Sequence, residues 1–293
     1  MWYILALCSA LIYSTRTILE KQNLSKIDKY SLAFGLRLFA LPFFFIPIIF
    51  QPGLLINPLS LNSSFWIANF WNAAISSPLE IIFLYKALQI SEVSYLIPIL
   101  SFAPILTTIF DIIIFGTYPS LLGLLAITLV IVGVYILNVT KSQSSIFSPF
   151  THLGSHQGVK YISVMLLLYS LGVTIDKFAI GQANPQSYAI YNYLTVTIAL
   201  YIINFFKHNN PFALIKRYFP TFIVLGFIVF AYTYLRNLAL DNGQSAYVAA
   251  ILATSTLYST FLGIFILKEK ANYGFKILGA TIATFGMIMF KLL

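Results

Sequence analysis

Apolar residues run along this chain in long blocks, and the polar residues gather between them. A bilayer core of roughly 30 Å needs about 20 apolar residues per helix. Cut at its turn and charge signals, the sequence predicts ten such helices: Trp2–Leu19, Tyr30–Phe50, Ser64–Leu88, Ser94–Phe115, Ser120–Val139, Val159–Phe178, Ser187–Phe206, Phe219–Leu240, Ala246–Leu267 and Phe275–Leu292. The blocks are continuous and lack the alternation of a transmembrane β-strand, so they read as helices. The longest connection, Thr140–Gly158, holds no soluble domain.

Composition sharpens this picture. The 293 residues are 59% hydrophobic and 9% charged, with a mean hydropathy of +0.88. Soluble domains carry about 25% charged residues, so a soluble protein is excluded. The start, MWYILALCSALIYS, has no basic segment before its apolar run, and no cleavable signal peptide is expected. Cys8 is the only cysteine, so no disulfide forms within the chain. The net charge of +9 comes from bases scattered over the loops, which reads as membrane topology and not as a nucleic-acid surface.

A repeat is written into the pattern. YSTRTILEK (Tyr13–Lys21) returns as YSLGVTIDK (Tyr169–Lys177), 156 residues later, and Ser31 falls on Ser187 in the same register. Further on, Ala87 pairs with Ala239, Tyr95 with Tyr247 and Gly133 with Gly286. The expected fold class is therefore all-α, a polytopic membrane protein of ten transmembrane helices built as two five-helix repeats. The repeats are residues 1–139 and 159–293, joined by a linking loop at 140–158. Five is odd, so the second copy enters the membrane from the opposite side. Inverted repeats of this kind hold their substrate near mid-membrane, between the copies.

At this point the sequence resembles the drug/metabolite transporter superfamily, in its ten-helix EamA-type branch. The residues carrying the resemblance are Arg37 in GLRLF, Ala87-Leu88 before a polar turn, Pro104 in SFAPILTTI, Glu269 in ILKEK, and Gly279 with Gly286. Thr256 stands in the place of Pro104 in the second half, and Thr117 in the place of Glu269 in the first. The resemblance implies movement of small metabolites, amino acids or drugs, driven by a proton gradient or by exchange, with no bound cofactor.

The polar residues inside the spans are the candidate chemistry, because a charge in the bilayer is costly without a partner or a wet cavity. Arg16, Arg37, Glu80 and Asp111 all fall inside spans. Asn69, Asn72, Ser76 and Glu80 recur every three or four residues and are expected on one helical face. The repeat mates of that stripe, Thr221, Val224, Ile228 and Tyr232, are largely apolar. Gly172 occupies the position of Arg16 in the second copy, so the duplicated scaffold does not itself need a cation there. Three readings of Arg16 stand open: a local pair with Glu20, an interhelical pair with Glu80 (for which Arg37 is the other candidate), or a contact to an anionic cargo group. Arg37 serves structure or site. Glu80 serves as proton carrier or fixed counter-ion. Asn192 inside a span needs a partner, and Tyr232, Tyr247 and Tyr258 are candidates to line a cavity. His152 and His156 lack the further ligands of a metal site.

Loop charges are lopsided. Lys21, Lys26, Lys29, Lys86, Lys141, Lys160, Lys207, Lys216, Arg217, Lys268, Lys270 and Lys276 fall on one side, and Lys177, Arg236 and Lys291 on the other. The positive-inside rule then puts both termini outside, whereas the resemblance implies both inside.

The function expected is secondary transport of small metabolites through a central cavity. The substrate-binding candidates are Arg16, Arg37, Asn69, Asn72, Ser76, Glu80, Asn192, Tyr232, Tyr247 and Tyr258. A flippase or scramblase of lipids or lipid-linked sugars is the alternative. A membrane enzyme or channel is less favoured, because no catalytic cluster or ring of filter charges is visible. The expected partners are a small-molecule solute and the lipid bilayer, without nucleic acid, and a complete repeat pair can work as a monomer. The expected location is a bacterial inner (plasma) membrane.

Overall fold

The computed structural model describes residues 1–90, 99–138, 157–258 and 273–293. Among these the chain is helical, with α1 (Trp2–Asn23), α2 (Lys29–Phe50), α3 (Ser63–Phe70), a π-helical turn (Trp71–Ser76), α4 (Ser77–Ile90), α5 (Ala103–Phe115), α6 (Leu121–Asn138), α7 (Gln157–Gln182), α8 (Pro185–Phe206), the short α9 (Pro211–Arg217), α10 (Phe219–Asn242), α11 (Ser245–Ala253) and α12 (Tyr273–Met289). Among the described residues seven helices are long and apolar enough to cross a membrane, and three shorter apolar helices fall on the remaining expected spans. Large apolar side chains such as Ile4, Phe50, Ile67, Ile113 and Phe206 stay exposed. In water such a surface would aggregate, whereas in lipid it is solvated.

The helix starts follow local chemistry. The Asp28 carboxylate accepts from Tyr30 N and Ser31 N at the head of α2, at 3.1 and 3.0 Å. Asn184 does the same for Ser187 N at the head of α8, at 2.8 Å. Both caps satisfy backbone donors that no helical carbonyl can reach. They lie 156 residues apart, the offset of the repeated phrase.

Three expected helices are not regular. The span from Ser64 to Leu88 carries the π-turn, where Ser77 N bonds to Asn72 O, five residues back. Pro78 explains it: its ring clashes with the carbonyl four residues earlier and it offers no N–H, and a wider turn absorbs both defects. The expected continuous span Ser94–Phe115 is interrupted at Ser101–Phe102, and α5 starts afresh with Pro104 in its first turn, where a missing N–H costs nothing. Residues 94–98 of that span lie outside the described residues. The ninth span turns at Thr254, whose hydroxyl and N–H both bond to the Ile251 carbonyl, at 2.6 and 3.1 Å. Its expected end, residues 140–156 of the link with His152 and His156, Tyr95, and Glu269 also fall outside the described residues.

The chain forms two compact units, each drawing on both sequence halves. One comprises Met1–Pro78 and Ile175–Asn242. In it α1 packs along α10, α2 packs on α8 and α10, and the π-turn packs on α8. Phe39 stacks on Phe222 with centroids 5.7 Å apart, and Phe44 meets Tyr193 at 4.8 Å. The other unit comprises Leu79–Thr174 and Gly243–Leu293. Its closest pairing is α6 with α12. A Cβ at Gly133 would lie 2.6 Å from Gly279 O, and one at Gly286 would lie 2.9 Å from Ala126 O. Backbones pack directly there, the small-residue device of membrane helices. Ala87, Ile99, Ala103, Val159, Ile162 and Leu166 form an apolar core in the same unit.

Candidate functional site

The unit containing α1, α2, α8 and α10 gathers buried charge at two places. The first is a clasp on Asp176 of α7. Its Oδ2 receives Arg236 Nη2 of α10 at 2.5 Å, and its Oδ1 accepts from Tyr188 Oη and Asn72 Nδ2. Asn72 Nδ2 also donates to Tyr188 Oη at 3.2 Å, and Asn192 Nδ2, one turn further along α8, donates to the same oxygen at 2.9 Å. Asp176 and Arg236 are buried. Three donors on one carboxylate, one of them cationic, make a closed arrangement that offsets the cost of burying both charges.

The second place is Arg16 on α1. Its Nε donates to Glu20 Oε1 at 2.7 Å, one turn along the same helix. The local pair, one of the readings open in the sequence, forms. Its guanidinium carbon sits 5.7 Å from the Tyr13 ring centroid and 5.5 Å from that of Tyr232 on α10. The two rings are 5.0 Å apart, and Ser9 Oγ ties α1 to the Tyr232 carbonyl at 3.1 Å. Nη1 and Nη2 of Arg16 make no hydrogen bond among the described residues, and neither does Glu20 Oε2. The two side chains keep 12% and 17% of their surface accessible. This pair is open where the Asp176 clasp is closed. The guanidinium fork, backed by two aromatic faces, matches a carboxylate or phosphate.

The remaining candidates are placed as follows. Asn69 is buried on α3 and donates to Thr195 Oγ1 at 3.0 Å, while its Oδ1 has no partner among the described residues. Ser76 is buried in the π-turn, and Glu80 is half-buried on α4. The stripe Asn69, Asn72, Ser76 and Glu80 does not run down one α-helical face, because the π-turn inserts a wider turn between its members. Arg37 is half-buried on α2 and makes no hydrogen bond or ion pair among the described residues. Tyr247 lies in the other unit, where its hydroxyl accepts from Ser120 N at 3.0 Å and its ring meets Phe290 at 5.3 Å. Those contacts hold the head of α6. Tyr258 is half-buried, past the turn at Thr254. Asp111, also in that unit, accepts from Thr174 Oγ1 at 2.8 Å and from Ala246 N at 3.1 Å, and so caps α11.

Sequence reasoning missed the Asp176 clasp. Arg236 falls inside the expected span Phe219–Leu240 although it stands among the loop charges above; α10 runs to Asn242 and buries it. The usable signal was the scarcity of acids: Asp176 is one of eight Asp and Glu residues in the chain. An acid and an arginine, each about a turn and a half inside neighbouring helix ends, suggest a partnership. Among the described residues no group of three or more His, Cys, Asp or Glu side chains could hold a metal.

Long apolar helices enclosing buried charge pairs define a multi-pass α-helical membrane protein. The chain belongs to the EamA-like transporter family, whose model matches residues 1–139 and 156–292. This membership places it among membrane transporters. One solved structure, titled only as the crystal structure of a protein, is similar over 99% of this chain and 96% of its own, with a TM-score of 0.74 and 11% identity. That likeness concerns the fold alone. No curated protein matches the chain.

Proposed function

We propose that the chain is a secondary active transporter of small metabolites bearing an anionic group, amino acids and related zwitterions or anions among them, with drugs in the same range. The observation that carries this reading is the open fork of Arg16, a cation inside a span held by one contact and flanked by Tyr13 and Tyr232. A scaffold arginine would be used as Arg236 is, enclosed by its acid and that acid's other donors. Arg16 would anchor the anionic group bidentately. The working cycle would be alternating access between two inverted five-helix repeats, residues 1–139 and 159–293, coupled to protons or to exchange. The equivalent caps Asp28 and Asn184 and the glycines Gly133 and Gly286 at α6 and α12 support the duplication.

The lipid-handling alternative has one observation in its favour. An open apolar groove of about 500 Å³ lies along Ser63, Trp66, Ile67, Phe70 and Trp71, and suits an acyl chain. The test separates the two. A thermal-shift screen of amino acids, carboxylates, nucleotides, sugar phosphates, organic cations and lipids is run on the purified protein and on Arg16→Gly, the residue of the second copy. A shift with an anionic or zwitterionic solute that vanishes in Arg16→Gly supports the reading. Shifts that survive the substitution, or arise only with lipids, overturn it.

A further inference from the structure

Resting on that reading of Arg16, we propose that Glu20 is the second half of the same site and makes it selective for zwitterions, solutes with a cationic group a few ångströms from the anionic one. The pair uses Arg16 through Nε alone and Glu20 through Oε1 alone, 2.7 Å apart. Among the described residues the fork of one and the second carboxylate oxygen of the other remain unused, and both side chains keep accessible surface. A solute with opposite charges would meet both free ends at once, its anion on Nη1 and Nη2 and its cation on Oε2, giving four alternating charges with no net excess.

The pair does little for the helix that bears it. With Arg16 preceding Glu20, the charges run opposite to the order the helix dipole favours. Among the described residues no other ion pair involves Arg16 or Glu20. The helix packed along α1 is α10, whose residues 219–231 carry no titratable side chain. Beyond them α10 carries Tyr232 and Tyr234, then Arg236, which Asp176 holds, and Asp241 next to its end. Tyr13 of α1 also lies against Arg16, with its ring centroid 5.7 Å from the guanidinium carbon. Among the described residues Glu20 is the acid in contact with Arg16, and it acts in two ways. It attracts a cationic group, and it repels a solute that is only an anion, because two negative charges would then share one arginine. At about 6 Å and an effective dielectric near 20, that repulsion is worth on the order of ten- to a hundredfold in affinity.

The repeat adds a contrast. The acid aligned with Glu20 is Asp176, and its arginine comes from α10 instead of from its own helix, where Gly172 stands. Asp176 is also covered by Tyr188 and Asn72. Of the two aligned acids, only Glu20 keeps an oxygen for a ligand.

The test uses three matched probes, leucine, 4-methylpentanoate and 3-methylbutylamine, which share an isobutyl group and differ in which charged groups they carry. Binding is measured by titration calorimetry on the purified full chain, on Glu20→Gln, on Glu20→Asp and on Arg16→Gly. The wild type is expected to bind leucine at least tenfold more tightly than either single-charge probe. Glu20→Gln keeps the acceptor for Arg16 Nε, so it is expected to fold while losing that preference over 4-methylpentanoate. Glu20→Asp keeps the charge and is expected to keep the preference. If Arg16→Gly abolishes binding but Glu20→Gln leaves the preference intact, the role of Glu20 is overturned and the anion site stands. If Arg16→Gly leaves binding unchanged, the anion site itself falls. A wild type that binds 4-methylpentanoate as tightly as leucine, or none of the three probes, also overturns the zwitterion proposal.

Discussion

Asp176→Asn is the most informative single perturbation of the scaffold. The amide has nearly the shape of the carboxylate, so packing is kept and only the charge is lost. Arg236 then stays buried with no anion at 2.5 Å. Removing one partner of a buried ion pair costs about 3–5 kcal/mol, much of it the penalty for the charge left behind. At roughly 2 °C per kcal/mol for a chain of this size, the melting temperature in detergent should fall by about 6–10 °C. Intrinsic tryptophan fluorescence during heating reads this directly. Arg236→Met leaves the opposite charge stranded and should cost a similar amount. The double variant removes both charges, and it should be at least about 1.5 kcal/mol more stable than the sum of the two losses, the sign of direct coupling. An Asp176→Asn protein that melts within a degree of wild type, or a double variant that loses the full sum, would refute the clasp.

Other consequences follow from single contacts. Gly133→Leu should prevent α6 from seating on α12, and expression as a monodisperse species by size-exclusion chromatography should be lost, while Gly53→Ala, with open space around it, should change nothing. Tyr247→Phe removes the acceptor of Ser120 N and should lower stability by about 1 kcal/mol in the same melting assay. Pro78→Ala restores a backbone donor and lets the π-turn relax toward α-helix, which turns Asn72 away from Asp176 and should lower the melting temperature in the same assay. With Arg236 inside α10, Lys177 and Lys291 alone remain on the poorer side of the loop charges. A fluorescent protein fused at the C-terminus should therefore stay dark if both termini lie outside, and a bright fusion would reverse the orientation.

The long-range plan was readable because it is carried by local chemistry. Apolar block length fixes most helix bounds to within a few residues. Asp28 and Asn184 mark helix starts by their own side-chain oxygens, and Gly133 and Gly286 mark a close backbone approach. The irregularities were less readable. Pro78 announced a defect in its span, but periodicity alone does not say whether a helix answers with a bend or with a π-turn, and that choice decides which way Asn72 points. Pro104 and Thr254 interrupt helices that hydropathy draws as continuous. The clasp was hidden for another reason. Asp176 and Arg236 are 60 residues apart and meet only through packing. Arg16 and Glu20 were readable as a pair because both lie on one helix. What the sequence could not reveal is that the pair forms through Nε alone and leaves its fork open.

The most direct test of the account is counterflow in proteoliposomes preloaded with the compound giving the largest thermal shift, for wild type and Arg16→Gly in parallel. The account predicts rapid exchange of labelled compound into wild-type vesicles and none above the protein-free background for Arg16→Gly, with both proteins monodisperse. Equal exchange by the two proteins would contradict it.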